Sequence, residues 1–263
     1  MLDAAVSGNV FSSPSADQIQ TAITKANSGK GVLLIIKNYS GDVMNFEMAA
    51  EMAELDDIEV DYVVVDDDVS IAEKEGSSGR RGIAGTIFVH KIAGAAAEEG
   101  RNLSEVKTVA EKVIANTRSL GMAMSSCILP AVGKPSFQLE DDEIEIGMGI
   151  HGEPGCRKTK LLTAKELAKE MGERILENLD YAGSEVAVLV NGLGATPLME
   201  LYIFNHEVHQ MLSEKGIRIY RTYVGNYMTS LEMAGCSLSL LRLDEELKRL
   251  LDAPADAPAF KQF

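Results

Sequence analysis

G-V-L-L-I-I-K-N-Y-S-G-D, residues 31–42, decides the fold class of this chain. The continuous apolar run Gly31–Ile36 is what a strand buried on both faces of a parallel sheet requires. Lys37–Asp42 then supplies a polar turn, and a helix over Val43–Leu55 follows. Strand, polar loop and helix in that order form the unit from which α/β folds are assembled.

The same alternation extends outward in both directions. Upstream, Ser13 as N-cap with Pro14 at the first helical position predicts a helix over Pro14–Ala26, with Ile19, Ala22, Ile23 and Ala26 at helical spacing. Downstream, Glu59–Val65 reads as a strand ending in Asp66-Asp67-Asp68. A glycine-rich connection at 76–82 carries Arg80 and Arg81, and helices are expected over 84–99 and 103–120. This half points to a parallel, doubly wound sheet. A second half begins near Gly121 with a strand over Met122–Leu129 and the turn-rich P-A-V-G-K-P-S-F at 130–137. Glu143–Ile150 alternates apolar and other residues, the period of a half-buried strand. Helices over Ala164–Asn178 and Leu198–Lys215 frame a buried strand at Glu185–Asn191. Strands at Ile217–Val224 and Ser237–Leu243 and a short helix at Asp244–Leu251 complete the series. The expectation is an α/β protein of two α/β domains, residues 1–120 and 121–263, with mainly parallel or mixed sheets flanked by helices.

Composition narrows the function. The 263 residues are nearly half apolar, lack tryptophan and carry a net charge of −15. That charge argues against non-specific binding to nucleic acid or to an anionic membrane surface. Three cysteines, Cys127, Cys156 and Cys236, form no CxxC pair and no disulfide framework, which suits a reducing cytosol. A cytoplasmic protein is expected, with neither a signal peptide nor an apolar run long enough to span a bilayer. The opening M-L-D-A-A-V reads like the interior of a domain, so the chain is expected to start late.

Several strand-end loops carry chemistry. In G-M-G-I-H-G-E-P-G, residues 147–155, His151 stands where a strand gives way to a turn, with Gly152 free to take positive φ. Ligands of α/β folds gather beyond the carboxyl ends of strands. An imidazole there can be base, metal ligand or nucleophile, or simply a surface turn residue. Lys37 and Asp42 share the turn after the first strand. Asp42 could take a proton from a substrate hydroxyl and Lys37 could donate to a substrate oxygen. Asp42 also reads as the N-cap of the following helix, and the two roles are compatible. Asp66-Asp67-Asp68 could hold a hard cation, but solvation and helix capping explain it as well. G-E-P-G-C-R-K-T, residues 152–159, nearly matches a phosphate-binding P-loop, yet Arg157 stands where glycine is needed, so that reading is rejected. Gly192–Pro197 could present backbone N–H groups but lacks a dinucleotide fingerprint. His206 and His209 lie three apart on a helix without a third ligand, so a solvated face is expected over zinc.

Taken together, these stretches resemble the dihydroxyacetone-binding K-subunit family of bacterial dihydroxyacetone kinases. The matching blocks are I-I-K-N-Y-S-G-D at 35–42, V-V-V-D-D-D at 63–68, G-R-R-G-I-A-G-T at 79–86, P-A-V-G-K-P-S-F at 130–137, G-I-H-G-E-P-G at 149–155 and N-G-L-G-A-T-P at 191–197. The resemblance implies that His151 attacks the ketone carbon of dihydroxyacetone and holds it as a covalent hemiaminal, which excludes glycerol because glycerol has no carbonyl. It implies Asp42 as the base for the terminal hydroxyl to be phosphorylated, and Lys37 as a hydrogen-bond donor to the substrate. The substrate-binding set is then Lys37, Asp42 and His151, and the catalytic set His151 and Asp42.

The family also implies that this chain binds no cofactor and no metal. A separate L subunit carries ADP or ATP with magnesium, and an M subunit recharges that nucleotide from the phosphoenolpyruvate phosphotransferase system. A homodimer is implied as well. The resemblance places roughly one more βα region before residue 1, with a glycine-rich, histidine-containing motif that touches the substrate. Weak stability and impaired turnover are therefore expected of the chain as it stands. Two rivals remain. One is a non-catalytic dihydroxyacetone-binding paralogue that acts as sensor or coactivator of a transcription regulator. The other is an aldolase-like enzyme with Lys37 as Schiff-base former.

Overall fold

The computed structural model describes residues 1–71 and 79–263, so part of the glycine-rich connection at 76–82 lies outside the described residues. The first layer comprises α1 (Ala16–Ala26), β1 (Val32–Lys37), α2 (Ser40–Glu54) and β2 (Val60–Val65). The helices α3 (Thr86–Glu98) and α4 (Leu103–Ala115) lead into β3 (Thr117–Ala123), β4 (Glu143–Ile146) and β5 (Arg157–Lys160). Then follow α5 (Ala164–Asn178), β6 (Glu185–Gly192), α6 (Leu198–Glu214), β7 (Arg218–Gly225), β8 (Gly235–Leu243) and α7 (Glu245–Asp252). A terminal hairpin, β9 (Ala255–Ala257) and β10 (Phe260–Gln262), ends the chain.

The α/β class with mixed sheets matches the expectation from sequence. β1 and β2 pair in parallel, in register from Val32↔Val60 to Lys37↔Val65, so their carboxyl ends share one edge. A six-stranded sheet runs β5-β4-β3-β8-β6-β7. Only its β6–β7 pair is parallel; the other neighbours are antiparallel. The doubly wound parallel sheet read for the first half is therefore limited to the β1–β2 pair. β3 runs through Leu120–Gly121 and pairs with β8 along its whole length.

Burial explains how these layers stack. Alternate residues of β1 face opposite sides, Leu34 and Ile36 toward α1 and α2, Leu33 and Ile35 toward α3 and α4. Fully burying such a side chain is worth about 1.5–3 kcal/mol, enough to hold a six-residue strand between two helical layers. On their other side α3 and α4 meet Ala187, Leu189, Leu241 and Leu243 of the large sheet. The opposite face of that sheet is covered by α5 and α6 through Met171, Ile175, Phe204 and Val208. A small fourth cluster of Cys127, Met148, Leu193 and Met233, with Phe11, Leu129 and Phe137 against it, lies under the turn that carries His151.

Several boundaries move from those expected. α1 is capped by Ser15, not Ser13, because Ser15 and Gln18 form a reciprocal capping box. α4 stops at Ala115, and the residues read as its last turn enter β3. β4 ends at Ile146, since Gly147 takes φ +83° and turns the chain away. The polar R-K-T-K of β5 lacks any apolar period and was not foreseen as a strand; it forms a sheet edge studded with cations. No described helix is long and apolar enough to cross a membrane.

Candidate functional site

The β1–α2 turn is built by backbone economy. Asn38 N–H bonds the carbonyl of Val65, continuing the parallel ladder, and Tyr39 N–H bonds the Lys37 carbonyl at 2.8 Å to close a tight turn. Asn38 Nδ2 donates to the Arg80 carbonyl at 2.7 Å, which fastens the incoming 79–85 loop. A Cβ on Gly82 would stand 2.5 Å from the Val65 carbonyl and 3.0 Å from Lys37 Cα, so only glycine lets this loop cross the strand ends. Helix α2 then starts at Ser40 with Tyr39 as its N-cap. The expectation that Asp42 caps the helix is thus corrected. Asp42 lies half-buried in the first turn, where its negative charge suits the helix N-terminus.

The second loop holds His151. Its backbone N–H donates to Glu153 Oε2 at 2.9 Å, while ring Nδ1 lies 3.1 Å from Glu153 Oε1. An ionised carboxylate only accepts, so the proton of a neutral imidazole sits on Nδ1 and Nε2 presents its lone pair. Burial pushes the Glu153 carboxyl up, but the hydrogen bond from the His151 ring, joined by that ring's charge when it is protonated, outweighs it and leaves the group below its usual range. Two rings wall the imidazole edge-to-face, Tyr39 at 4.6 Å and Phe11 at 5.1 Å between centroids. Tyr39 is therefore the contact that brings the Lys37–Asp42 turn against the His151 turn. About a quarter of the His151 side chain stays open to solvent, at 26%.

The triple aspartate is divided among three tasks. Asp66 pairs with Arg80 at 3.0 Å. Asp67 is fully buried and accepts from the N–H groups of Ile83 and Gly85 at 2.8 Å each, ordering the approach to α3. Burial lifts its carboxyl to about 6, with hydrogen bonds from Ser119, Ile83 and Gly85 opposing. Asp68, also fully buried, takes Arg81 Nε at 2.9 Å and a terminal nitrogen at 2.7 Å. Solvation does not account for Asp67 and Asp68, and among the described residues no group of three or more His, Cys, Asp or Glu could hold a metal.

The remaining candidates are placed elsewhere. Lys158 and Thr159 lie in β5, not in a strand-to-helix loop. The Gly192–Pro197 loop has spent its N–H groups at Leu193 and Ala195 on the carbonyls of Gly235 and Met233. His209 Nε2 contacts Thr222 Oγ1 at 3.0 Å, and His206 is exposed on α6. His90 is driven down to about 4, first by burial and then by the Lys37 charge, so its ring is neutral at pH 7. A cavity of about 370 Å³ elsewhere is lined by Asp66, Arg80, Glu111 and Arg118, and none of its lining residues belongs to the two loops.

Tyr39, Glu153 and Arg81 were not assigned roles from sequence. The signal for Glu153 was its place two residues after His151, close enough to return onto the ring. Tyr39 lay inside a quoted block, but nothing in a sequence says that its ring crosses to another loop.

A strand-end histidine held by a carboxylate, between two halves of an α/β fold, meets its match among kinase subunits: the Dak1 domain family model covers residues 1–259, and the chain belongs to that family. It is 55% identical, over 99% of its length and 80% of the relative's, to the dihydroxyacetone-binding subunit DhaK of the PTS-dependent dihydroxyacetone kinase 1 of Listeria innocua. Among solved structures it is similar to the dihydroxyacetone kinase operon co-activator DhaQ, at a TM-score of 0.92 and 39% identity, covering 97% of this chain and 79% of that one. The native dihydroxyacetone kinase of C. freundii matches at a TM-score of 0.90 and 36% identity, covering 97% of this chain and 46% of that one.

Proposed function

We propose that this chain is the substrate-holding subunit of a dihydroxyacetone kinase and captures the ketone covalently on His151. The Nε2 lone pair forms the C–N bond, the C=O π pair moves to oxygen, and that oxygen takes up a proton from solvent water, to which the partly open His151 site has access. The positive charge developing on the ring faces the Glu153 carboxylate. A hemiaminal results, and glycerol, lacking a carbonyl, has no such bond to form. The single observation that carries this reading is the Glu153–Nδ1 contact at 3.1 Å, which leaves Nε2 as the nucleophile. Asp42 would then take the proton of the terminal hydroxyl, and Lys37 would donate to a substrate oxygen. Phosphoryl transfer needs mostly positioning and electrostatics, which suits a chain that holds one reactant while a partner holds the other. Nucleotide and magnesium are assigned to an L subunit, recharged by an M subunit where phosphoenolpyruvate is the donor, and the working form is a homodimer.

The likeness to a co-activator at a TM-score of 0.92 favours one second reading, a dihydroxyacetone-binding partner of a transcription regulator. Mixing the protein with purified L subunit, ATP and dihydroxyacetone separates the two. The kinase reading expects phosphorylated product, reduced at least ~100-fold by Asp42→Asn because a general base typically contributes that much. Binding of dihydroxyacetone without any product formation would leave the co-activator reading.

A further inference from the structure

Arg81 makes more buried polar contacts around the His151 turn than its place in a glycine-rich connection suggests. It is 7% exposed; its partner Asp68 is fully buried, Gly147 is buried and Ser70 is half-buried. Nε and one terminal nitrogen fork onto Asp68; that nitrogen also reaches Ser70 Oγ at 2.8 Å and the Gly147 carbonyl at 2.7 Å. Gly147 is the residue whose positive φ starts the His151 turn. A Cβ on Gly149 would collide with Glu153 Oε2 and stand 2.8 Å from Arg81 Nη1, so the missing side chain lets the guanidinium and that carboxylate lie on the same side of Gly149. Cation, carboxylate and imidazole thus follow one another from Asp68 to His151.

We infer that Arg81 is a positioning residue for His151: clamped by Asp68, it anchors the turn through the Gly147 carbonyl and keeps Glu153 as the acceptor of the Nδ1 proton. The inference rests on the reading of His151 as the ketone-capturing nucleophile. Its physical content is that a fixed cation opposite Glu153 disfavours transfer of the Nδ1 proton to the carboxylate. It also restrains the turn so that the ring cannot exchange which nitrogen faces Glu153. Arginine suits the task because its planar fork satisfies Asp68 and the carbonyl together, whereas a lysine is a single point charge.

The test compares three proteins by ¹⁵N NMR of the His151 ring and by titration with dihydroxyacetone. These are the unaltered protein, Arg81→Lys, and the double variant Asp68→Leu with Arg81→Met. Replacing a buried ion pair by apolar residues of similar size is often neutral for folding, so the double variant isolates the positioning role. The expected result is a single Nδ1–H tautomer in the unaltered protein and a mixture in the double variant, with ketone capture weakened roughly 10–100-fold, a scale carried over from metal-ligating histidines that lose an orienting partner. Arg81→Lys should fall between the two. A folded double variant with the original tautomer and original affinity overturns the inference. Should that variant not fold, an Arg81→Lys protein identical to the unaltered one in both readouts overturns it instead. Should the unaltered protein capture no ketone, the functional reading fails, while the tautomer comparison still decides the role of Arg81.

Discussion

Glu153 accepts two hydrogen bonds from His151, one from its backbone N–H and one from its ring, and the ring bond leaves Nε2 as the nitrogen with a free lone pair. An amide in its place offers both donor and acceptor atoms, so the ring could bind it through either tautomer. Glu153→Gln is therefore expected to keep the fold and to lose roughly 10–100-fold in dihydroxyacetone affinity, by analogy with metal-ligating histidines whose orienting partner is weakened. Calorimetric titration checks this, and unchanged affinity would remove Glu153 from the account. At this scale the sequence told which residue types stood at strand ends. It could not tell that Tyr39 of one loop would lie 4.6 Å from His151 of another, because that distance belongs to the packing of two distant segments.

Among the elements, α3 carries a lysine where the core expects an apolar residue. Lys91 is 1% exposed and its ammonium donates to the Leu250 carbonyl at 3.1 Å, closing the end of α7. Burial pulls its pKa down to about 8, with Asp252 opposing and Arg221 adding to the shift. The folded state therefore binds fewer protons than the unfolded chain between about pH 8 and pH 10.5, and stability rises with pH across that window. Below it the ammonium is charged in both states and its burial costs about 3 kcal/mol. Lys91→Met forfeits one hydrogen bond, worth about 1 kcal/mol, and should still raise the unfolding temperature by several degrees at pH 7. The gain should shrink toward pH 10.5. A variant less stable than the original at pH 7 would show that the Leu250 bond dominates.

Element identity was legible where an apolar period was long, as in α5, whose bounds Ala164–Asn178 match those read from sequence. It failed at T-R-S-L-G-M-A, residues 117–123, where the strand is specified by its pairing with β8, Ser119 opposite Ser239 and Leu120 opposite Leu238. Local spacing continues the helix there; the tertiary partner overrides it. The tail likewise gained order only from its contacts, with Phe260 packed on Tyr223 and Tyr227 and Gln262 bonded to Leu251 and Ala253 carbonyls.

For the whole molecule, the site exists because two halves of the chain are fastened together. β1 and β2 bring Lys37, Tyr39, Asp42 and the buried aspartates; the large sheet brings Gly147–Glu153 on the end of β4. The junction is the layer of α3 and α4, packed on both, and the Asp68–Arg81–Gly147 tie. Composition and strand order made the α/β class readable, but the antiparallel majority of the large sheet was not, since strand direction is set by connections and not by hydropathy.

Intact-mass and peptide-level mass spectrometry of the protein incubated with dihydroxyacetone, alone and with excess glycerol, tests the central claim most directly. The account predicts one added ketone per chain, mapped to His151, undiminished by glycerol and absent from His151→Ala. An adduct on Lys37, or retention of the ketone by His151→Ala at unchanged strength, would contradict it.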